Sequence, residues 1–199
     1  MAVQYMTSIG DTGQIEKLLR DDQLDGHKEA RIVFAGRSNA GKSSLLNALT
    51  RTKAAHISRE PGKTRKVNLF FCSLLERVVV DLPGYGFAKR NKTEKRLWGE
   101  LITAYINADK KNIDWVVLVT DSRHGPADSD LEAMKFFQQL GLPVCLVLSK
   151  IDKLNQKQLN SRKKEVKEIL DGHSPDKVYW TSSSKGKGVR EVVKEITNG

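Results

Sequence analysis

Gly36-Arg37-Ser38-Asn39-Ala40-Gly41-Lys42-Ser43 follows an apolar run, Arg31-Ile32-Val33-Phe34-Ala35. It opens a segment with helical spacing, Ser44-Leu45-Leu46-Asn47-Ala48-Leu49. The stretch reads G-x-x-x-x-G-K-S, and at average composition its four fixed positions recur by chance in under ~1% of chains this long. A strand, a glycine-rich loop and a helix, in that order, are what a phosphate-binding loop needs. The glycines let backbone N–H groups turn toward a phosphate, and the helix N-terminus behind them carries partial positive charge. In that reading Lys42 reaches the terminal phosphates and the Ser43 hydroxyl joins the shell of a Mg2+ ion. The alternative is an ordinary glycine-rich turn, and the flanks on both sides weigh against it.

From Ala30 onward, apolar runs alternate with helical segments, the pattern of a parallel sheet covered by helices. The pattern predicts strands over 31–35, 67–73, 77–81, 114–120, 144–148 and 177–180. Helices are predicted over 42–50, 92–108, 128–139, 155–170 and 188–196. Only Leu74-Leu75-Glu76 separates the second and third strands, so they are expected to pair as an antiparallel hairpin at one sheet edge. Helix 92–108 carries Leu97, Leu101, Ile102 and Tyr105 at helical spacing, with Trp98 read as a packing residue. Helix 155–170 is expected to bury Leu159, Val166, Ile169 and Leu170. The fold class is therefore α/β. It is a three-layer open, mostly parallel sheet with one antiparallel edge strand and helices on both faces, its ligand lying at the carboxyl ends of the strands. Residues 1–28 read as a polar N-terminal extension with one or two amphipathic turns around Ile15, Leu18 and Leu19, packed on the domain or mobile. Residues 29–199 form the nucleotide-binding domain.

A chain of 199 residues suits one domain with an ample core. No apolar run reaches the ~18 residues of a membrane span, and the first thirty residues lack a secretory signal's apolar stretch, so a cytoplasmic protein is expected. Cys72 and Cys145 sit in separate strand-like runs, which suits buried free thiols. His27, His56, His124 and His173 make no metal-ligand spacing. The formal net charge of +10 favours a polyanionic partner, nucleic acid before a membrane surface. A solvated basic surface without a specific partner is the alternative. The basic residues concentrate in Arg51–Lys66, where Arg51, Lys53, Arg59, Lys63, Arg65 and Lys66 face a single Glu60, and in Arg162-Lys163-Lys164.

Four further segments fall where a phosphate-loop protein needs them. Asp81-Leu82-Pro83-Gly84 ends a strand, so its carboxylate can hold a Mg2+-bound water and the Gly84 N–H can meet a third phosphate. Thr64, in Gly62-Lys63-Thr64-Arg65-Lys66, lies in a loop long enough to fold over that phosphate. Its hydroxyl joins Mg2+ with a triphosphate bound and lets go after hydrolysis. Thr50 and Thr52 are rivals but lie too close to the first helix. Ser149-Lys150-Ile151-Asp152 ends an apolar strand and selects the base. A carboxylate accepts the guanine N1–H and N2 amino hydrogens together, which adenine does not offer, while Lys150 lays its aliphatic stem along the ring. Thr181-Ser182-Ser183 closes the last strand, where Ser182 and Ser183 present a backbone N–H to the guanine O6. An ATP-using enzyme is a weaker reading of the same loop.

The set G-R-S-N-A-G-K-S, Pro61-Gly62-Lys63-Thr64 with Asn68-Leu69-Phe70, Asp81-Leu82-Pro83-Gly84-Tyr85-Gly86, S-K-x-D and Ser182-Ser183-Ser184-Lys185 resembles translation-factor-class GTPases. More closely it is similar to the bacterial EngB family, one of the TrmE-Era-EngA-EngB-septin-like P-loop GTPases, over residues 30–196. The resemblance implies a monomeric cytosolic GTPase that binds GTP/GDP with Mg2+. It further implies help in assembling the large ribosomal subunit on its rRNA, and a requirement in cell division and septation. Metal contacts would come from Ser43, Thr64 and, through water, Asp81; the catalytic set would be Lys42, Thr64, Gly84 and Asn39.

Two positions depart from the general GTPase pattern. Ser149 replaces the usual asparagine of N-K-x-D, and its shorter hydroxyl is expected to give up a contact to guanine N7 and a tie to the phosphate loop, leaving modest affinity. Tyr85 stands where Ras-type enzymes carry the glutamine that orients the attacking water, so slow intrinsic hydrolysis is expected, accelerated by a partner or an added ion. Asn39 matches the loop asparagine of related cation-activated GTPases, which implies K+ beside the phosphates; an asparagine that only shapes the loop is the alternative. Two function classes follow. One is a GTP-controlled switch docking on ribosomal RNA through its basic stretches. The other is a guanine-nucleotide-dependent interaction protein with incidental hydrolysis.

Overall fold

A computed structural model of the chain describes residues 3–20, 30–51, 66–85 and 92–198. The elements run β1 (Val3–Ile9), α1 (Thr12–Arg20), β2 (Arg31–Gly36), α2 (Lys42–Thr50), β3 (Val67–Cys72), β4 (Arg77–Asp81) and α3 (Lys92–Asp109). They continue with β5 (Ile113–Asp121), α4 (Asp128–Gln139), β6 (Val144–Ser149), α5 (Gln156–Ile169), β7 (Lys177–Trp180) and α6 (Val189–Thr197). The strands form one seven-stranded sheet in the order β1-β3-β4-β2-β5-β6-β7. β2 is parallel to β4 and β5, and β6 is parallel to β5 and β7.

The expected hairpin forms, with β3 antiparallel to β4, but the reversed strand is not the edge. β1 pairs along the outer side of β3, from Val3 opposite Cys72 to Ile9 opposite Val67, so β3 runs against both neighbours. The N-terminal segment thus supplies a strand and a full helix rather than one or two turns. The β1 sequence shows no strong alternation because only Ile9 is buried and Tyr5 remains 47% exposed. What holds β1 is its ladder to β3, together with the Ser8 hydroxyl donating to Asn68 Oδ1 at 2.6 Å.

Side chains alternate across the sheet, as the strand period requires. Val33, Ala35, Val80, Val116, Leu118 and Leu146 face Ile15 and Leu18 of α1, Ile102, Tyr105 and Ile106 of α3, and Met134 and Phe137 of α4. Ile32, Phe34, Val79, Val117, Val119 and Val147 face Leu45, Leu46 and Leu49 of α2 and Val189, Val192 and Ile196 of α6. Two apolar layers therefore clamp β2 and β5 from both sides, which fixes the loops leaving their carboxyl ends. Some packing expectations fail. Leu97 is 54% exposed, while Ile169 and Leu170 are only half-buried, Leu170 still packing against the core. The Trp98 side chain lies outside the described residues. Cys72 and Cys145 are free and buried.

Candidate nucleotide-binding site

All the described segments singled out from sequence arrive at the carboxyl end of the parallel strands. β2 delivers Gly36 to Ser43, β4 delivers Asp81 to Gly84, β6 delivers Ser149 to Asp152, and β7 delivers Thr181 to Ser183. The phosphate loop turns through Asn39 (φ 66°) and Gly41 (φ 103°), and Gly41 caps α2 without any side-chain bond. Its glycines are sterically required. A Cβ at Gly36 would meet the Val119 carbonyl oxygen at 2.4 Å, and one at Gly41 would meet Ser149 Oγ at 2.9 Å. The first turn of α2 holds no acidic residue, so its unpaired N–H groups face an anion site without competition.

Lys42 and Asp81 form a buried ion pair, their side chains 10% and 4% exposed. Gly84 lies against the loop, where an added Cβ would approach Ser38 Oγ to 2.9 Å. Ser38 Oγ is itself buried without a partner among the described residues. Ser43 is exposed. No group of three His, Cys, Asp or Glu among the described residues could hold a metal alone. Ser43 and Asp81 would offer two oxygens, so an ion held there would also need phosphate oxygens and water, the usual habit of Mg2+. The residues fit a magnesium nucleotide.

Ser149 does not lose its tie to the phosphate loop. Its hydroxyl bonds the Ala40 carbonyl and lies 3.0 Å from the Thr120 carbonyl, one proton serving both. The reach is possible because Gly41 has no Cβ to keep the two segments apart. Lys150 (φ 62°) spans the same gap, donating to the Asn39 carbonyl at 2.6 Å and to Asp121 Oδ2 at 2.9 Å. Burial disfavours the Asp121 charge, but hydrogen bonds from Arg123 and Lys150 outweigh it and hold its pKa well below the usual range. Asp152 Oδ1 accepts from the Ser182 hydroxyl at 2.6 Å, which lowers the Asp152 pKa and orients its carboxylate. The Ser182 N–H is committed to the Lys187 carbonyl at 2.9 Å, so of the two serines Ser183 is the one left to offer an N–H to a base. Thr181 is buried, its N–H on the Leu148 carbonyl at 2.8 Å and its hydroxyl without a partner among the described residues.

Gly62, Lys63, Thr64 and Arg65 lie outside the described residues, and Lys66 is exposed at the start of β3. Thr52 lies outside them too. Thr50 is fully buried with its hydroxyl on the Leu46 carbonyl at 2.8 Å, so it cannot serve a metal. Sequence reasoning passed over Asp121 and Asp130. The signal for Asp121 was present, since a central apolar strand ending in Thr120-Asp121-Ser122 carries its polar residues to the ligand edge.

A family model described as 50S ribosome-binding GTPase matches residues 31–150, and one described as elongation factor Tu GTP binding domain matches residues 103–199. The chain is 39% identical over 183 residues to a probable GTP-binding protein EngB of Clostridium beijerinckii, covering 92% of this chain and 91% of that one. It is 42% identical over 176 residues to the corresponding protein of Desulfovibrio desulfuricans, covering 88% and 85%. Among solved structures, a crystal structure of a probable GTP-binding protein EngB aligns with a TM-score of 0.67 at 28% identity, covering 85% of this chain and 99% of that one. Era in complex with MgGDPNP and nucleotides 1506-1542 of 16S ribosomal RNA aligns with a TM-score of 0.66 at 26% identity, covering 85% of this chain and 56% of that one.

Proposed function

The chain belongs to the EngB family of GTP-binding proteins, P-loop GTPases, and from that premise we propose that it is a slowly hydrolysing GTP switch assisting large ribosomal subunit assembly. It works as a monomer in the cytoplasm, and cell division and septation depend on it through that assembly role. The observation that supports this reading most is the convergence of Gly36–Ser43, Asp81–Gly84 and Ser149–Asp152 on one edge of the sheet. Backbone N–H groups and Lys42 grip the phosphates. Mg2+ would be held by Ser43, by Asp81 through water and, with a triphosphate, by Thr64. Asp152 reads the guanine edge, held in its acceptor state by Ser182.

The net charge of +10 supports a ribosomal RNA partner, met through Arg51–Lys66 and Arg162-Lys163-Lys164, with contacts to phosphate backbone that weaken as salt rises. Hydrolysis is slow because the Tyr85 side chain bonds Asp130 instead of facing the phosphate loop. Asn39 would help to hold a K+ ion beside the phosphates, which would supply part of the missing charge stabilisation. The Tyr85 orientation also favours a second reading, a GTP-dependent interaction protein whose turnover is incidental. Co-sedimentation with ribosomal subunits, in GDP and in a non-hydrolysable GTP analogue, tests the switch. Binding to large subunits only with the analogue is expected, and equal binding in both refutes it. Single-turnover hydrolysis with and without large subunits, in matched Na+ and K+ buffers, separates the two readings; identical rates throughout favour the second.

A further inference from the structure

Tyr85 joins three parts of the site that are distant in sequence. Its backbone runs beside the phosphate loop, the N–H donating to the Gly36 carbonyl at 3.3 Å and the carbonyl accepting from the Ser38 N–H at 3.0 Å. Its side chain lines a cavity of about 300 Å³ between α3 and α4, and its hydroxyl donates to Asp130 Oδ1 at 2.7 Å. Asp130 is 1% exposed, and its other oxygen accepts from the Thr120 hydroxyl at 3.1 Å and the Ala127 N–H at 3.0 Å. The carboxylate is therefore fixed from the central strand and from the start of α4 before Tyr85 reaches it. Gly84, the neighbour of Tyr85, rests against Ser38, and its own N–H has no partner among the described residues. A glycine peptide explores many conformations unless its neighbours restrain it.

We propose that Tyr85 is a positioning residue whose hydroxyl, anchored on Asp130, fixes the Gly84 peptide so that its N–H meets the third phosphate of a nucleoside triphosphate. This rests on the guanosine-triphosphate reading above. A diphosphate has no group at that place, so the Tyr85–Asp130 bond distinguishes triphosphate from diphosphate. A bond to a buried carboxylate suits this task because charge-assisted bonds are short and directional.

Tyr85→Phe removes only the hydroxyl. Calorimetry with Mg2+ would measure GDP and a non-hydrolysable GTP analogue on this variant and on Tyr105→Phe. Tyr105 loses a bond of the same kind, its hydroxyl donating to Asp109 Oδ2 at 2.7 Å, but far from the loop. Tyr85→Phe is expected to weaken the analogue about tenfold and GDP by less than about twofold. Tyr105→Phe is expected to lower the melting temperature comparably while leaving the ratio of the two affinities unchanged. An unchanged ratio in Tyr85→Phe, or an equal change in Tyr105→Phe, overturns the proposal. Wild-type protein that binds neither nucleotide overturns instead the guanine-nucleotide reading beneath it.

Discussion

Lys42→Met tests the most consequential contact in the ligand-free site. The substitution keeps the apolar stem and removes the ammonium, leaving the Asp81 carboxylate, 4% exposed, without its counter-charge. Stranding one member of a buried ion pair costs about 3–5 kcal/mol. For a domain of this size each kcal/mol moves the melting temperature by about 2–4 °C, so a fall of about 6–20 °C is expected. The measurement is a thermal melt without nucleotide or Mg2+, where no ligand can mask the effect. Lys42→Met combined with Asp81→Asn removes both charges and should recover more than half of the loss. The reasoning is refuted if the single variant melts within about 2 °C of wild type, or if the double variant is as unstable as the single one. The same pair bears on binding. On the proposed reading phosphate and Mg2+ would draw Lys42 and Asp81 apart, so Asp81→Asn, which releases Lys42, should make GDP binding less dependent on Mg2+.

Other consequences are open to simpler assays. If Asp152 reads guanine as proposed, Asp152→Asn would lose the acceptor for the N1–H and N2 hydrogens, so GDP affinity should fall about 10- to 100-fold for each charged bond lost, while xanthosine diphosphate gains; competition binding checks both. The depressed pKa of Asp121 gives stability that is complete above its unfolded value of about 3.9 and is lost as pH falls through that value toward the lower folded one. Asp121→Asn should therefore be less stable than wild type at neutral pH, and the gap between the two melting curves should begin to narrow only as pH falls below about 4. Burial pushes the Cys145 thiol up to about 12 and raises that of Cys72 as well, so a thiol reagent at pH 8 should modify neither until the protein unfolds.

Much of this molecule is local and was therefore legible in the chain itself. The strand–loop–helix around Gly41-Lys42-Ser43, the β3–β4 hairpin and the apolar runs of β5 and β6 depend on periodicity, turn residues and short connections. Their observed bounds fall within a residue or so of those predicted. The carboxyl-edge placement of Asp81, Ser149 and Asp152 followed from the same parallel pattern. Other features depended on surfaces from distant parts of the chain. β1 is a strand because β3 offers an unpaired edge, which no alternation in Val3–Ile9 announces. Leu97 has the spacing of a core residue yet stands in solvent, since helical period says which face a residue shares but not whether a neighbour covers it. The Ser149 tie to Ala40 hinges on the missing Cβ of Gly41, and the direction of the Tyr85 hydroxyl hinges on Asp130, buried forty-five positions later. Sequence alone determined which chemical groups reach the ligand edge, because backbone periodicity is a short-range property. Only the tertiary structure decided which of those groups hold one another, because hydrogen bonds and ion pairs between segments exist once packing has brought them within a few ångströms.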